Sequence, residues 1–252
     1  MDYKFIKVSE KEKAVELVLA RPDVLNALNI PMIKEIASAL SDIEKTRQGI
    51  LVLRGEGRAF CVGADIKERE QGLSLESYFM ERVLTLQRIA SLLRNTEKVV
   101  IAAVHGYVAG SGLVMSLYAD IRVATDDAVF HLPEVNVSST ILCGGYKALL
   151  ESVGITKAKE LLLLGEPIGA DEAERINLIN KKVPAERFEE TISQYIDKLA
   201  SKPSLTRKLI KKSVILAAEE KFDEMLLREA MDAAINHYSA MKGETDAKDT
   251  LT

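Results

Sequence analysis

Cysteine is scarce in this chain: Cys61 and Cys143 are the only two in 252 residues. They are too few and too far apart for a disulfide framework, and no Cys/His spacing resembles a zinc site, so a reducing, cytoplasmic setting without a metal is the simplest expectation. Long apolar runs are missing as well. Nowhere do about 18 consecutive apolar residues occur, which excludes a membrane-spanning helix of ordinary length. The first 13 residues alternate charged and apolar side chains without a basic start and apolar run, so neither a secretory signal nor a transit peptide is expected. A basic surplus is absent too: 34 Lys and Arg stand against 38 Asp and Glu, for a formal charge of −4. Neither nucleic acid nor an anionic membrane is an expected partner, since both attract clustered cations. No Gly-x-Gly-x-x-Gly and no P-loop occurs, and there is no internal repeat.

What remains is ordinary globular material, 47% apolar and 29% charged. The length fits one large domain, or a domain with an appendage. Ala14 to Leu19 reads as a strand followed by the turn signal Arg21-Pro22-Asp23. Met32, Ile36, Leu40 and Ile43 then recur at spacings that predict an amphipathic helix after Pro31. Gly49 to Leu53 and Val99 to Val104 read as buried strands. Glu76 to Asn95 is helical in pattern, with Val83, Leu86, Ile89 or Ala90, and Leu93 on one side. Leu113 to Tyr118 reads as a helix, Ala119 to Ala124 as a strand, and the pattern from Thr156 onward as helical, with breaks at Gly165-Glu166-Pro167, Val183-Pro184 and Lys202-Pro203. Strands alternating with helices, then helices alone, predict an α/β core with a helical C-terminal region. The stretch from Leu205 to Met241 has an apolar stripe that it cannot cover itself, which points to packing on the core or on a second subunit.

Two glycine-bearing loops each follow a strand: Phe60 to Asp65, and Ala109-Gly110-Ser111-Gly112. If the second opens a helix, its first N–H groups lack intrahelical acceptors and lie at the positive end of the dipole, which makes an anion or oxyanion site. The alternative is that the glycines serve tight turns and close packing only.

Four blocks carry a family resemblance. They are Leu19-Ala20-Arg21-Pro22 with Leu25-Asn26-Ala27-Leu28; Phe60 to Lys67; Ala109 to Gly112 ending in Ala119-Asp120; and Phe130 to Glu134 with Gly144-Gly145. In this order and spacing the chain resembles the enoyl-CoA hydratase/isomerase (crotonase) superfamily over nearly its whole length. The resemblance implies a crotonase-like spiral of repeated ββα units with a helical C-terminal trimerisation region. Residues 1–195 would form the core with the CoA site and oxyanion hole, and 196–252 the helical region. It also implies an acyl-CoA thioester substrate, no cofactor beyond its CoA moiety, no metal, and a homotrimer or dimer of trimers. By the match of motifs, the backbone N–H groups of Ala64 and Ser111 form the oxyanion hole. Val24, Ala27, Ala64, Asp65 and Ile66 lie on the side that holds the CoA nucleotide.

Family hydratases usually present two glutamates, and this sequence keeps the second as Glu134 while Val114 stands at the first. The pattern is similar to that of the 3-enoyl-CoA isomerases, in which one carboxylate moves the proton. Leu132, Val135 and Val114 are expected to desolvate Glu134 and raise its pKa. A hydratase with a non-standard second residue and an acyl-CoA decarboxylase using His237 are the alternatives within the class. A non-catalytic CoA- or RNA-binding protein is the alternative outside it. His105, His131, Cys61 and Cys143 read as structural, Asp65 as loop-capping or CoA-contacting, and Arg207, Lys208, Lys211 and Lys212 as a solvated helix face.

Overall fold

The computed structural model describes residues 3–70, 74, 76, 78–219, 231, 233 and 235. In chain order the elements begin with β1 (Ile6–Glu10), β2 (Val15–Leu19), α1 (Ile30–Ile43), β3 (Ile50–Gly55), β4 (Ala59–Cys61) and α2 (Ile66–Glu70). A π-type turn at Tyr78–Val83 then runs into α3 (Leu84–Asn95), followed by β5 (Val99–Val104), β6 (Tyr107–Ala109), α4 (Gly110–Leu117), β7 (Ile121–Thr125) and β8 (Val129–His131). The last are α5 (Gly145–Leu164), β9 (Ile168–Gly169), α6 (Ala170–Arg175), β10 (Lys181–Val183), α7 (Phe188–Ala200) and α8 (Ser204–Ala217).

Two sheets organise them. The larger has the order β1-β2-β3-β5-β7-β10, parallel from β2 onward, and the smaller has the order β4-β6-β8-β9, parallel except at β9. Three times the chain lays a strand in the large sheet, a shorter strand in the small sheet, and then a helix: β3-β4-α2, β5-β6-α4 and β7-β8-α5. This is the expected spiral of ββα units.

The large sheet explains why its strands read so clearly. Leu51, Leu53, Val100, Ala102 and Val104 join the core beneath α1, α3 and α4, while Ile50, Val52, Ile101 and Ala103 join a second core against Phe188 and Ile192 of α7. Alternate side chains point to opposite faces, and both faces are covered, so the run is apolar throughout. Each fully buried Ile or Leu stabilises the fold by about 1.5–3 kcal/mol. Helix α1 buries Met32, Ile33, Ile36, Leu40 and Ile43, and Asn29 caps it by accepting a hydrogen bond from the Met32 N–H at 3.0 Å.

The structure corrects several expectations. The C-terminal third is not helical alone, because β9 and β10 interrupt it and β10 extends the large sheet beside β7. Strands of two and three residues carry no readable alternation, and Lys181-Lys182 looks like surface because β10 is an edge. Helix α5 starts at Gly145, not near Thr156, and breaks at Gly154, whose φ of 75° is not helical. Helix α4 starts at Gly110, three residues ahead of Leu113.

The basic run of α8 is a solvated face only in part, since Lys212 is exposed but Lys211 and Arg207 turn to the core. Lys211 donates to the Lys98 carbonyl at 2.7 Å and to Asp120 at 2.8 Å, with 7% of its side chain exposed. Lys208 pairs with Glu97 at 2.9 Å, and Arg207 donates to the Leu199 carbonyl at 2.7 Å. These bonds fasten α8 to the core while Ile210 and Val214 stay exposed. The boundary expected at 195/196 falls inside α7, which packs on the large sheet. The Leu205 to Met241 stripe is described only in part, and His237 lies outside the described residues. Among the described residues no helix is long and apolar enough to cross a membrane.

Candidate active site

Because β4, β6 and β8 are parallel, the loops that leave their C-terminal ends emerge side by side. They carry Val62 to Asp65, Gly110-Ser111 and Leu132 to Glu134, one from each ββα unit. Gly63 has a φ of 85°, and a β-carbon there would stand 2.9 Å from the Ala109 carbonyl and 3.3 Å from Ser111 N. The first two loops therefore touch backbone to backbone. Gly110 has a φ of 49°, and a β-carbon there would stand 3.1 Å from Glu134 Oε1 and 3.7 Å from the Gly63 Cα. Glycine at these two positions supplies both the left-handed dihedral and the clearance.

The first loop is gripped on either side of Ala64. Leu28 donates its N–H to the Gly63 carbonyl at 2.7 Å and accepts from the Asp65 N–H at 3.1 Å, a parallel bridge that leaves the Ala64 N–H outside the ladder. Ser111 is the second residue of α4 and 9% exposed. Its N–H is among those without an intrahelical acceptor, and Ala109 supplies no side-chain cap. Two backbone N–H groups outside the ladders, one at the positive end of a helix, thus sit on loops that meet each other at Gly63 and meet Glu134 at Gly110.

Glu134 opens the short 3₁₀ turn Glu134–Val137. His131 Nε2 lies 2.9 Å, and Asn136 Nδ2 2.8 Å, from the carbonyl of Gly165, so one acceptor at the end of α5 brackets the turn from both sides. Oε2 of Glu134 is buried without a hydrogen-bond partner. Burial pushes the carboxyl above its ordinary value of 4.5, against smaller opposing effects of its own backbone N–H and of His131. Of the residues expected to surround it, Leu132 is buried, but Val135 is 47% exposed and packs near Gly165. Val114 is fully buried, with Cγ2 2.8 Å from where a β-carbon on Gly145 would stand.

The model of the family described as enoyl-CoA hydratase/isomerase matches residues 10–249. The chain belongs to that family. A probable mitochondrial enoyl-CoA hydratase of Dictyostelium discoideum is 35% identical over 82% of this chain and 74% of its own length. The short-chain-enoyl-CoA hydratase of Clostridium acetobutylicum is 34% identical over 82% and 80%. A solved structure described as an enoyl-CoA hydratase subunit from Geobacillus kaustophilus superposes with a TM-score of 0.88 at 30% identity, covering 97% of this chain and 94% of that one. This chain is thus an enzyme of the enoyl-CoA hydratase/isomerase family.

Around the family's glycine loops, the remaining candidates resolve into supports. Cys61 donates its thiol to the Asn26 carbonyl at 3.1 Å, lies under Gly112, and is pushed up to about 12 by burial, so it is packing material and no nucleophile. Cys143 donates to the Leu86 carbonyl at 3.0 Å and is likewise pushed up to about 12. His105 Nε2 lies 2.9 Å from the Gly57 carbonyl, away from Glu134's turn. Val24 ends the 3₁₀ turn Pro22–Val24 half-buried, Ala27 is buried, and Ile66 is 64% exposed on the rim. Asp65 pairs with Arg21 at 2.9 Å.

Sequence reasoning passed over the residues that build this loop. Asn26, fully buried at a φ of 56°, donates to the carbonyls of Glu56 at 2.9 Å and Ala59 at 2.8 Å and accepts from the Arg21 N–H at 2.8 Å. Arg82, 6% exposed, donates to Glu68 at 2.9 Å and to the Leu28 carbonyl at 3.0 Å. An asparagine amid apolar residues was the available signal for the first; Arg82 gave none.

Proposed function

We propose that this enzyme acts on an acyl-CoA thioester and moves a double bond from the 3 to the 2 position, with Glu134 as the single acid/base. The Glu134 carboxylate removes a proton from C2 of a 3-enoyl-CoA. The electron pair delocalises into a dienolate, whose oxygen is stabilised by the N–H groups of Ala64 and Ser111. The carboxylic acid then returns the proton at C4, and the double bond comes to rest between C2 and C3. Atoms and charge balance without water, metal or any cofactor beyond the CoA of the substrate. Each donor of such a pair contributes about 10²–10³ in rate in other enzymes.

The observation that carries this reading is the contrast between two side chains. Glu134 holds a buried, unpartnered oxygen beside Gly110, and its proton affinity is raised by burial. Val114, where the resemblance expects a hydratase's other glutamate, is fully buried and has no proton to give. The CoA nucleotide would lie along Val24 to Ala27 and Ala64 to Ile66. Assembly as a homotrimer or dimer of trimers rests on the family resemblance; the exposed Tyr146, Leu150, Leu163 and Leu164 of α5 offer apolar surface for contact with another copy. Hydration of a 2-enoyl-CoA is the second reading, favoured by the hydratase names of the relatives.

The test is product analysis with trans-3-hexenoyl-CoA and, in parallel, crotonyl-CoA. Formation of 2-hexenoyl-CoA, lost by 10²-fold or more in Glu134→Gln, is the expected result. Faster hydration of crotonyl-CoA than isomerisation would replace isomerase by hydratase. No conversion of either by wild type would leave a decarboxylase or a non-catalytic binder.

A further inference from the structure

Arg21 has no part in the proton transfer above, yet its guanidinium is largely enclosed, with 17% of the side chain exposed. It donates to the Ala27 carbonyl and, at 2.9 Å, to Asp65, and it lies over the Phe5 ring at 5.5 Å. The Ala27 carbonyl belongs to the same peptide group as the Leu28 N–H. That N–H donates to the Gly63 carbonyl at 2.7 Å. The Gly63 carbonyl in turn belongs to the same peptide group as the Ala64 N–H. From the cation to the first backbone donor of the site there are thus two amide units in series, each receiving a hydrogen bond at its oxygen and offering its N–H onward.

A hydrogen bond to an amide oxygen increases the dipole of that amide and strengthens its N–H as a donor, and a charged donor does so most. We propose that Arg21 is a positioning residue that polarises and aims the Ala64 N–H through the Ala27–Leu28 and Gly63–Ala64 peptide groups. Asp65 holds the guanidinium in that orientation, and Asn26 fixes the loop between its two ends through its bonds to Arg21 N, Glu56 and Ala59. The inference rests on the reading of Ala64 as an oxyanion donor.

Arg82 provides the internal contrast. It too is a buried cation that grips Leu28, but it donates to the Leu28 carbonyl, which belongs to the following peptide group and lies outside the series. Arg82 holds the loop in place; Arg21 holds it and is conjugated with it. Cooperative strengthening of roughly 10–30% per bond, applied to a donor worth about 10²–10³ in rate, predicts that losing the cation lowers kcat by about two- to eightfold.

The experiment compares wild type, Arg21→Met, Arg21→Gln, Arg21→Lys and Arg82→Met. It measures kcat and KM for trans-3-hexenoyl-CoA, the Kd of free CoA, and the infrared C=O stretch of bound butyryl-CoA labelled with ¹³C at the thioester carbonyl. Hydrogen bonding lowers that frequency, so the shift on binding reads the strength of the donors. The expected result is a smaller shift and a two- to eightfold lower kcat in Arg21→Met and Arg21→Gln, with KM and the CoA Kd held within twofold. Arg21→Lys, which keeps the charge, retains more of the shift than Arg21→Gln, which keeps a donor without it. If Arg21→Met does not fold, the Gln and Lys pair decides.

A full shift in Arg21→Gln would overturn the relay, as would an equal loss of shift in a folded Arg82→Met. A rise in CoA Kd with kcat unchanged would make Arg21 a ligand contact instead. Absence of any shift and any turnover in wild type would remove the oxyanion reading itself, a result distinct from failure of the relay alone.

Discussion

Substituting alanine for Gly110 separates the geometry of the site from the stability of the fold. Gly110 has a φ of 49°, a left-handed conformation that costs an alanine about 1–2 kcal/mol. In a chain of this length that lowers Tm by ~2–8 °C. The new methyl group would stand 3.1 Å from Glu134 Oε1, closer than ordinary contact, so the carboxylate must retreat by a few tenths of an ångström. Glu134 is a flexible side chain at the mouth of a loop, so this displacement adds little to the loss of stability. It acts where proton transfer is most sensitive to distance, and a rate loss of about tenfold is expected. Gly154→Ala tests strain without contact, since Gly154 has a φ of 75° and a ψ of 164°, a region essentially closed to alanine, but nothing within 4 Å of its added carbon. Thermal unfolding followed by fluorescence, and initial rates at saturating trans-3-hexenoyl-CoA, measure both quantities in both variants. Gly110→Ala is expected to lose stability and rate, Gly154→Ala stability alone. Equal rates in the two variants would refute the placement of Glu134 at the reacting atoms.

Three further outcomes follow from the same structure. Since burial raises the Glu134 carboxyl above 4.5, the acid limb of the pH–kcat/KM profile lies above the ordinary carboxylate range and disappears in Glu134→Gln. The folded state also holds this proton more tightly than the unfolded chain does. The stabilising contribution is therefore complete below about pH 4.5 and is lost as pH rises through the folded value, so Glu134→Gln gains more Tm over wild type at pH 8 than at pH 4. Lys211→Met removes the bonds to Asp120 and to the Lys98 carbonyl, and the midpoint of urea unfolding is expected to fall by the equivalent of about 1.5–3 kcal/mol with the slope unchanged.

How much of this was legible in the sequence depended on how many residues carried each signal. Val99 to Val104 was read with its true limits because six consecutive residues are buried between two covered faces. The apolar spacing of α1 and α3 was read for the same reason, with Val83, Leu86, Ile89, Ala90 and Leu93 all buried as expected. The small sheet was not readable, since β4, β6 and β8 have three residues each and show no period, although they align the three loops. Local pattern singles out the two glycine loops as either an oxyanion site or tight turns, and only the family resemblance chooses between them and adds Glu134. Arg82 was hidden by the π-type turn, which shifts the helical phase and carries an apparently exterior residue inward. Lys211 reads as ordinary surface charge, and Arg21 only as part of a turn signal and a family block, because their partners, Asp120, the Lys98 carbonyl and the Ala27 carbonyl, are distant in sequence or belong to the backbone.

The bracket at Gly165 ties the aim of Glu134 to the length of a helix that begins eleven residues after it. His131 and Asn136 meet a carbonyl whose position is set by the helical turns between the break at Gly154 and Leu164. One residue more or fewer in that half of α5 would rotate the carbonyl by about 100°, given 3.6 residues per turn, and would leave both side chains without it. Insertions and deletions in this stretch are thereby penalised through the reaction even where the helix itself would absorb them. Length variation among descendants of this chain should accumulate elsewhere, and the half of α5 after Gly154 should change by substitution alone.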